Sequence, residues 1–172
     1  MTVMSNKTKY VAAFLAASAA FFVGVKNDEG FTSKPVIPVK GDRPTQGYGS
    51  TFKPDGSPVK MTDPPITRAT ADKWLRNDVA KREVVFKDSL KGVKLSQTEY
   101  DIYLDFSYQY GVPTFAKSSM LKHLKAGQYK AACDSLLKYK YVAKRDCSIR
   151  KNGCYGVWTR QLERHAKCIG AQ

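Results

Sequence analysis

The polarity pattern along the chain changes period several times, and each change marks an element. Residues 10–25 form an uncharged run closed by Lys9 and Lys26, with six Ala among its sixteen positions. As a helix rising about 1.5 Å per residue, the run reaches about 24 Å, short of the roughly 30 Å of a hydrocarbon core. A polar elbow follows, Asn27-Asp28-Glu29-Gly30. Residues 35–39 and 45–51 then flank the turn Lys40-Gly41-Asp42-Arg43, which predicts a small hairpin rich in Pro and Gly. Residues 52–66 hold four Pro and a Gly and predict a loop without strands. From Thr67 the period becomes helical: Thr70, Trp74, Asp78 and Lys81 share one exposure, while Leu75, Val79 and Val84-Val85-Phe86 supply apolar surface. Ser96-Gln97-Thr98-Glu99 is a capping box that opens a helix through Tyr100, Tyr103, Leu104, Phe106 and Ser107, with a stop at Gly111 and Pro113. Ser118 or Ser119 starts another helix that ends near Gly127, and residues 129–137 and 157–167 complete the set. The predicted fold class is α+β, mostly helical, with one small N-terminal hairpin.

Composition narrows the setting. A hydrophobic share of 42% over 172 residues supports one cored domain plus a targeting segment and excludes a disordered polymer. Twenty-nine Lys and Arg against 15 Asp and Glu give a net charge of +14, so the partner is polyanionic: nucleic acid, a membrane surface or an acidic wall polymer. Residues 1–30 carry +1, residues 31–95 carry +6 and residues 96–172 carry +7. Charge spread in this way suits a body held against an anionic envelope better than a nucleic-acid arm. Lys7 and Lys9 ahead of a short, weakly apolar run point to export, with Ala17-Ser18-Ala19 as a cleavage-like sequence. The plainer reading is an ordinary buried helix. Export places the N-terminal tail in the cytoplasm and everything after Lys26 outside. In that compartment Cys133, Cys147, Cys154 and Cys168 read as disulfides. The Asn152-Gly153 turn favours a short bridge between Cys147 and Cys154, which leaves Cys133 for Cys168; four cysteines formally allow three connectivities. No CxxC pair is present, and neither a metal nor an organic cofactor is expected.

Several enzyme classes are unsupported, because GxGxxG, P-loop, HExxH and GxSxG motifs are all missing. His123 and His165 sit beside Lys in predicted helices and read as surface residues. The remaining chemistry gathers near the hairpin. Glu29 follows an apolar helix and precedes a Gly, a place where half-burial would raise a carboxyl pKa and suit a general acid. Asp42 in the turn and Thr45 on the return strand supply a carboxylate and a hydroxyl that can hold a water, which is the equipment of a glycosidase. Taken singly, such residues are more often structural than catalytic.

Their order is specific. Glu29-Gly30 and then Thr45-Gln46-Gly47-Tyr48-Gly49 resemble the catalytic front of the phage-type lysozymes, glycoside hydrolase family 24. Phe106-Ser107-Tyr108-Gln109-Tyr110-Gly111, Phe115 and the helix after Ser119 are similar to that family's centre. Arg145-Asp146-Cys147, Asn152-Gly153-Cys154-Tyr155-Gly156, Arg160 and Glu163 resemble the C-terminal signature of its lambdoid-phage endolysins. The resemblance implies a lysozyme-like fold in residues 27–172, behind a signal-anchor helix in residues 1–26. It implies an inverting muramidase that cuts the β-1,4 bond between N-acetylmuramic acid and N-acetylglucosamine in peptidoglycan, acting as a monomer without nucleic acid. Glu29 would be the acid, Asp42 and Thr45 would hold water or stabilise oxocarbenium charge, and Tyr48, Tyr108 and Arg160 would line the glycan. It also implies tethering to the inner membrane on its periplasmic face through residues 10–25, followed by release to the periplasm. One position departs from the family pattern: the usual Asp stands six residues before Thr45, where this chain has Val39, and the only acid in the hairpin is Asp42, so either a remodelled turn lets Asp42 fill the role or Glu29 and Thr45 work with water alone. Two other classes compete with an enzyme: a non-catalytic exported peptidoglycan-binding protein, and a nucleic-acid binder using the basic stretch 138–151 with Tyr139 and Tyr141.

Overall fold

The computed structural model describes residues 7–172; the first six residues of the expected anchor lie outside them. The chain forms two compact units, Ala17–Val84 and a second composed of Met1–Ala16 with Val85–Gln172.

The unit Ala17–Val84 begins with helix α1 (Ala19–Glu29). Ser18, in extended conformation, starts it by accepting the Phe21 N–H at 3.2 Å. Phe21, Phe22 and Val25 form its buried stripe. Gly30 ends it at φ +68°, donating its N–H to the Lys26 carbonyl at 3.0 Å. Strands β2 (Thr32–Val36) and β3 (Thr45–Gly47) pair antiparallel, Thr32 with Gly47 and Val36 with Thr45, with a register irregularity between the pairs. The first strand thus lies about three residues earlier than the sequence pattern predicts. Pro38 lacks an N–H for the ladder, and Ile37 and Val39 are exposed, so pairing stops at Val36. Residues 52–66 contain no strand, only the isolated bridge between Phe52 and Pro58. Helix α2 (Arg68–Ser89) follows Thr67, whose hydroxyl accepts the Thr70 N–H at 3.1 Å. Leu75 and Val79 are buried as expected, but Val84 and Val85 are 71% and 58% exposed while Phe86 is fully covered. Successive helical residues point about 100° apart, so one of three consecutive apolar side chains faces a core. Within this unit α1 is bound to α2 by the Lys26–Asp72 ion pair at 2.6 Å and by the Arg76 guanidinium, 4.4 Å from the Phe22 ring centre.

The other unit contains the start of the chain. Strand β1 (Tyr10–Val11) pairs antiparallel with β4 (Lys94–Leu95) and leads into a single 3₁₀ turn, Ala12–Phe14. The apolar run 10–25 is therefore a strand, a turn, an extended link and the first part of α1, not one helix, and the expected boundary at 26/27 falls inside α1. Among the described residues no helix is long and apolar enough to cross a membrane. Burial of Ala12 and Leu15 and pairing with β4 outweigh the local helix propensity of an Ala-rich stretch. Helix α3 (Gln97–Tyr110) opens with the full capping box of Ser96 and Glu99. Gly111 and Pro113 divide it from α4 (Val112–Ala116), and Ser118 caps α5 (Ser119–Lys125). Helix α6 (Tyr129–Ser135) and helix α7 (Tyr155–Gly170) follow, and between them strands β5 (Tyr141–Val142) and β6 (Arg145–Asp146) form a hairpin. The core of this unit is aromatic: Phe86 lies 5.3 Å from Tyr100 and 5.1 Å from Phe115, and Tyr103 lies 5.8 Å from Phe115.

The β5–β6 hairpin escapes sequence reading because Ala143 and Lys144 take positive φ, +47° and +65°, where Gly or Asn is the usual signal. Side chains compensate for the unfavourable turn. Asp146 accepts Lys140 Nζ at 2.8 Å and the Ser148 hydroxyl at 2.6 Å, and these partners lower its carboxyl to about 2. An ordinary carboxylate gains its proton near pH 4, so this stabilisation persists at pH 4 and fades as pH falls through about 2. Protection factors of the amides in residues 140–148, the intrinsic exchange rate at each pH divided by the observed one, are expected to stay high at pH 4 and to fall toward pH 2.

Both expected disulfides are present, Cys133–Cys168 across 35 residues and Cys147–Cys154 across 7. Loop-closure entropy assigns about 4 kcal/mol to the long bridge and about 2 kcal/mol to the short one. Urea unfolding of paired Cys→Ala variants is expected to show the larger loss for Cys133 and Cys168.

Candidate active site

Glu29, Asp42, Thr45 and Tyr48 all belong to the unit Ala17–Val84. Glu29 is the last residue of α1 and Thr45 is the first of β3. Asp42 lies in the connection between the strands, where its N–H donates to the Val39 carbonyl at 2.9 Å. That bond closes a four-residue turn, which brings the two ends within about 7 Å. The Asp42 backbone, three residues before Thr45, is thereby held against the Val39 carbonyl. The Thr45 hydroxyl donates to the Val36 carbonyl at 3.4 Å, leaving its oxygen lone pairs for another donor.

Glu29 meets the far end of the hairpin. A Cβ built on Gly49 would lie 3.0 Å from Glu29 Oε2, and Gly49 has φ +76°. The carboxylate therefore rests on bare backbone two residues past β3. Glu29 is exposed, not half-buried as its place in the sequence suggests. Asp42 is exposed as well, and Thr45 is half-buried.

The remaining candidates divide. Tyr48 is buried, its ring 5.7 Å from Phe31 and 5.6 Å from the Lys26 ammonium, so it packs the hairpin and does not offer a face to sugar. Tyr108 on α3 and Arg160 on α7 are both half-buried and belong to the other unit. Among the described residues no group of three or more His, Cys, Asp or Glu is arranged to hold a metal ion.

Sequence reasoning assigned no role to Gln46, which is fully buried. Its Nε2 donates to the carbonyls of Ser33 and Pro64, both at 2.8 Å, and so ties β3 to β2 and to the loop before α2. A lone polar residue between Thr45 and Gly47 in an otherwise inward-facing position was the available signal. Gly49 was visible only as part of a motif; its closeness to Glu29 is a tertiary fact.

Gly49→Ala tests this construction. The positive φ costs about 1–2 kcal/mol for a residue with a Cβ, and the new methyl group must displace the Glu29 carboxylate. Lytic rate is expected to fall at least tenfold while the folded fraction at 25 °C, followed by circular dichroism, stays close to that of the parent.

The chain is similar to known proteins in sequence and in fold. The family model described as phage lysozyme matches residues 26–163. The endolysin of Salmonella phage P22 is 34% identical over 122 residues, covering 70% of this chain and 80% of that protein. The endolysin of Acyrthosiphon pisum secondary endosymbiont phage 1 is 30% identical over 115 residues, covering 67% of this chain and 73% of that protein. A crystal structure of a P22 lysozyme mutant superposes with a TM-score of 0.72 at 25% identity, covering 91% of this chain and 99% of that one. With its hairpin, its helix-end glutamate and its helical C-terminal portion, the chain belongs to the phage lysozyme family and is a lytic lysozyme.

Proposed function

We propose that the protein is a phage endolysin of the muramidase type, with Glu29 as general acid and with Asp42 and Thr45 as the groups that hold the attacking water. The substrate class is peptidoglycan glycan strands, cut at the β-1,4 bond between N-acetylmuramic acid and N-acetylglucosamine. Glu29 gives its proton to the glycosidic oxygen as the bond breaks. Asp42 stabilises positive charge at the anomeric carbon and takes the proton that the water sheds as its oxygen bonds there, and the Thr45 oxygen orients the same water. Attack from the face opposite the leaving group inverts configuration. The observation that carries this reading is the seating of the Glu29 carboxylate on Gly49, at one end of the hairpin that also bears Asp42 and Thr45. Tyr108 and Arg160 are assigned to the glycan, and Tyr48 to the support of the hairpin.

Residues 10–25 act first as a membrane anchor and later as part of the folded enzyme. The run is short and rich in Ala, so leaving lipid forfeits little apolar contact per residue. In the anchored state Glu29 is held close to the bilayer and α1 cannot meet the hairpin; exit restores the arrangement described above, a switch between two states of one chain. The enzyme is thus held at the periplasmic face of the inner membrane and then freed.

Lysis of outer-membrane-permeabilised Gram-negative cells, followed by turbidity, tests the assignment. Glu29→Gln is expected to lower the rate about 10³-fold, the scale of a lost general acid, and Asp42→Asn at least tenfold. Near-parental lysis by Glu29→Gln would reject the mechanism and favour a binding protein; near-parental lysis by Asp42→Asn would remove Asp42 from it. A reporter fused to residues 1–26 is expected to start in the membrane fraction and move to the soluble fraction. Permanent membrane residence would reject release.

A further inference from the structure

Glu99 is a fully buried carboxylate that the proposed reaction does not use. Lys9 Nζ lies 2.5 Å from Oε1 and 2.6 Å from Oε2, the Ser96 backbone N–H donates to Oε2 at 2.8 Å, and Gln172 Nε2 donates to Oε1 at 2.9 Å. The Lys9 ammonium also stands 3.8 Å from the centre of the Tyr129 ring. A carboxylate and an aromatic face together form an ammonium site. Its walls come from the start of α3, the start of α6 and the C-terminal residue. Gln172 is held in turn by the Cys168 carbonyl at 2.9 Å and lies 3.5 Å from Cys133 Sγ, so the long disulfide borders the site.

The cation that completes the site arrives on the segment that precedes α1. That segment also contributes the β1–β4 pair, the Ala12 N–H to the Val93 carbonyl at 3.0 Å, and the Ala16 carbonyl to Gln97 Nε2 at 2.9 Å. Ala12 and Leu15 are buried with it. Without the segment, the Glu99 carboxyl loses the cation beside it and β4 keeps an open edge; both are unfavourable.

We propose that Lys9 and Glu99 form a latch that captures residues 9–16 on the unit containing α3 and α7 and makes exit from the bilayer directional. The release half of this proposal rests on the anchored reading above; the seating of the segment in the soluble enzyme does not. While residues 10–25 lie in lipid, Lys9 is on the cytoplasmic side, out of reach of Glu99, and the latch is open. After exit the ion pair, the strand pair and the buried side chains form together. Return to lipid requires breaking all of them, and a two-state equilibrium shifts by the contacts that one state makes and the other lacks.

Two measurements on the full chain test the latch. In the purified soluble enzyme, amide exchange of residues 9–16 is expected to rise at least tenfold in Lys9→Met and to stay near the parental rate in Lys9→Arg. Unchanged exchange in Lys9→Met overturns the seating role. In cells, Glu99→Gln leaves the basic flank of the anchor intact, and its transfer from membrane to soluble fraction is expected to be at least threefold slower than the parent's. Parental transfer in Glu99→Gln overturns the release role while the anchored reading stands. A parental chain never found in the membrane overturns the anchored reading and the release role together, and leaves the seating role to the exchange result.

Discussion

Helix α1 has to stop at Glu29, and the hairpin has to pass beneath that residue without a side chain; most of the site follows from these two conditions. Gly30, at φ +68°, turns the chain out of the helix and directly into β2. Gly49, at φ +76°, lets the backbone beyond β3 approach to the distance at which a Cβ would touch the Glu29 carboxylate. Between these glycines the hairpin needs its own support, because a two-stranded ribbon is marginal in water. Gln46 supplies it by spending both amide hydrogens on carbonyls of β2 and of the loop before α2. Tyr48 supplies the apolar part by burying its ring against Phe31. Glu29 and Asp42 are exposed and Thr45 is half-buried, while Gln46 and Tyr48, which support the hairpin, are buried.

The N-terminal run obeys a different constraint. Under the proposed anchoring, the segment must be apolar enough for lipid and weakly enough retained to leave, and an Ala-rich run with Phe14, Leu15, Phe21 and Phe22 suits both demands. In the folded chain it is divided: its first part pairs with β4 and its last part belongs to α1. Several of its apolar residues, Ala12, Leu15, Phe21, Phe22 and Val25, are buried there.

What could be read in advance was local. The capping box at Ser96, the stop at Gly111, the Ser118 cap and the short disulfide after Asn152-Gly153 each depend on neighbours in sequence, and each appears in the fold. The order of Glu29, the hairpin and Thr45 was legible for the same reason. Tertiary competition explains the misses. Residues 10–16 have helical composition, yet β4, some eighty positions away, takes Tyr10 and Val11 as strand partners. The β5–β6 turn uses Ala143 and Lys144 at positive φ, which no composition rule selects; the Asp146 cluster and the adjoining disulfide stabilise it. Glu29 looked half-buried because an apolar helix precedes it, but the stripe that is buried ends at Val25.

Glycoside hydrolysis by this hairpin and helix end is tested most directly by mass spectrometry of peptidoglycan digested by the purified protein. Hydrolysis at the proposed bond predicts fragments ending in reducing N-acetylmuramic acid, carrying one added water per cut. Fragments ending in 1,6-anhydro-N-acetylmuramic acid, or free peptides with intact glycan strands, would contradict it.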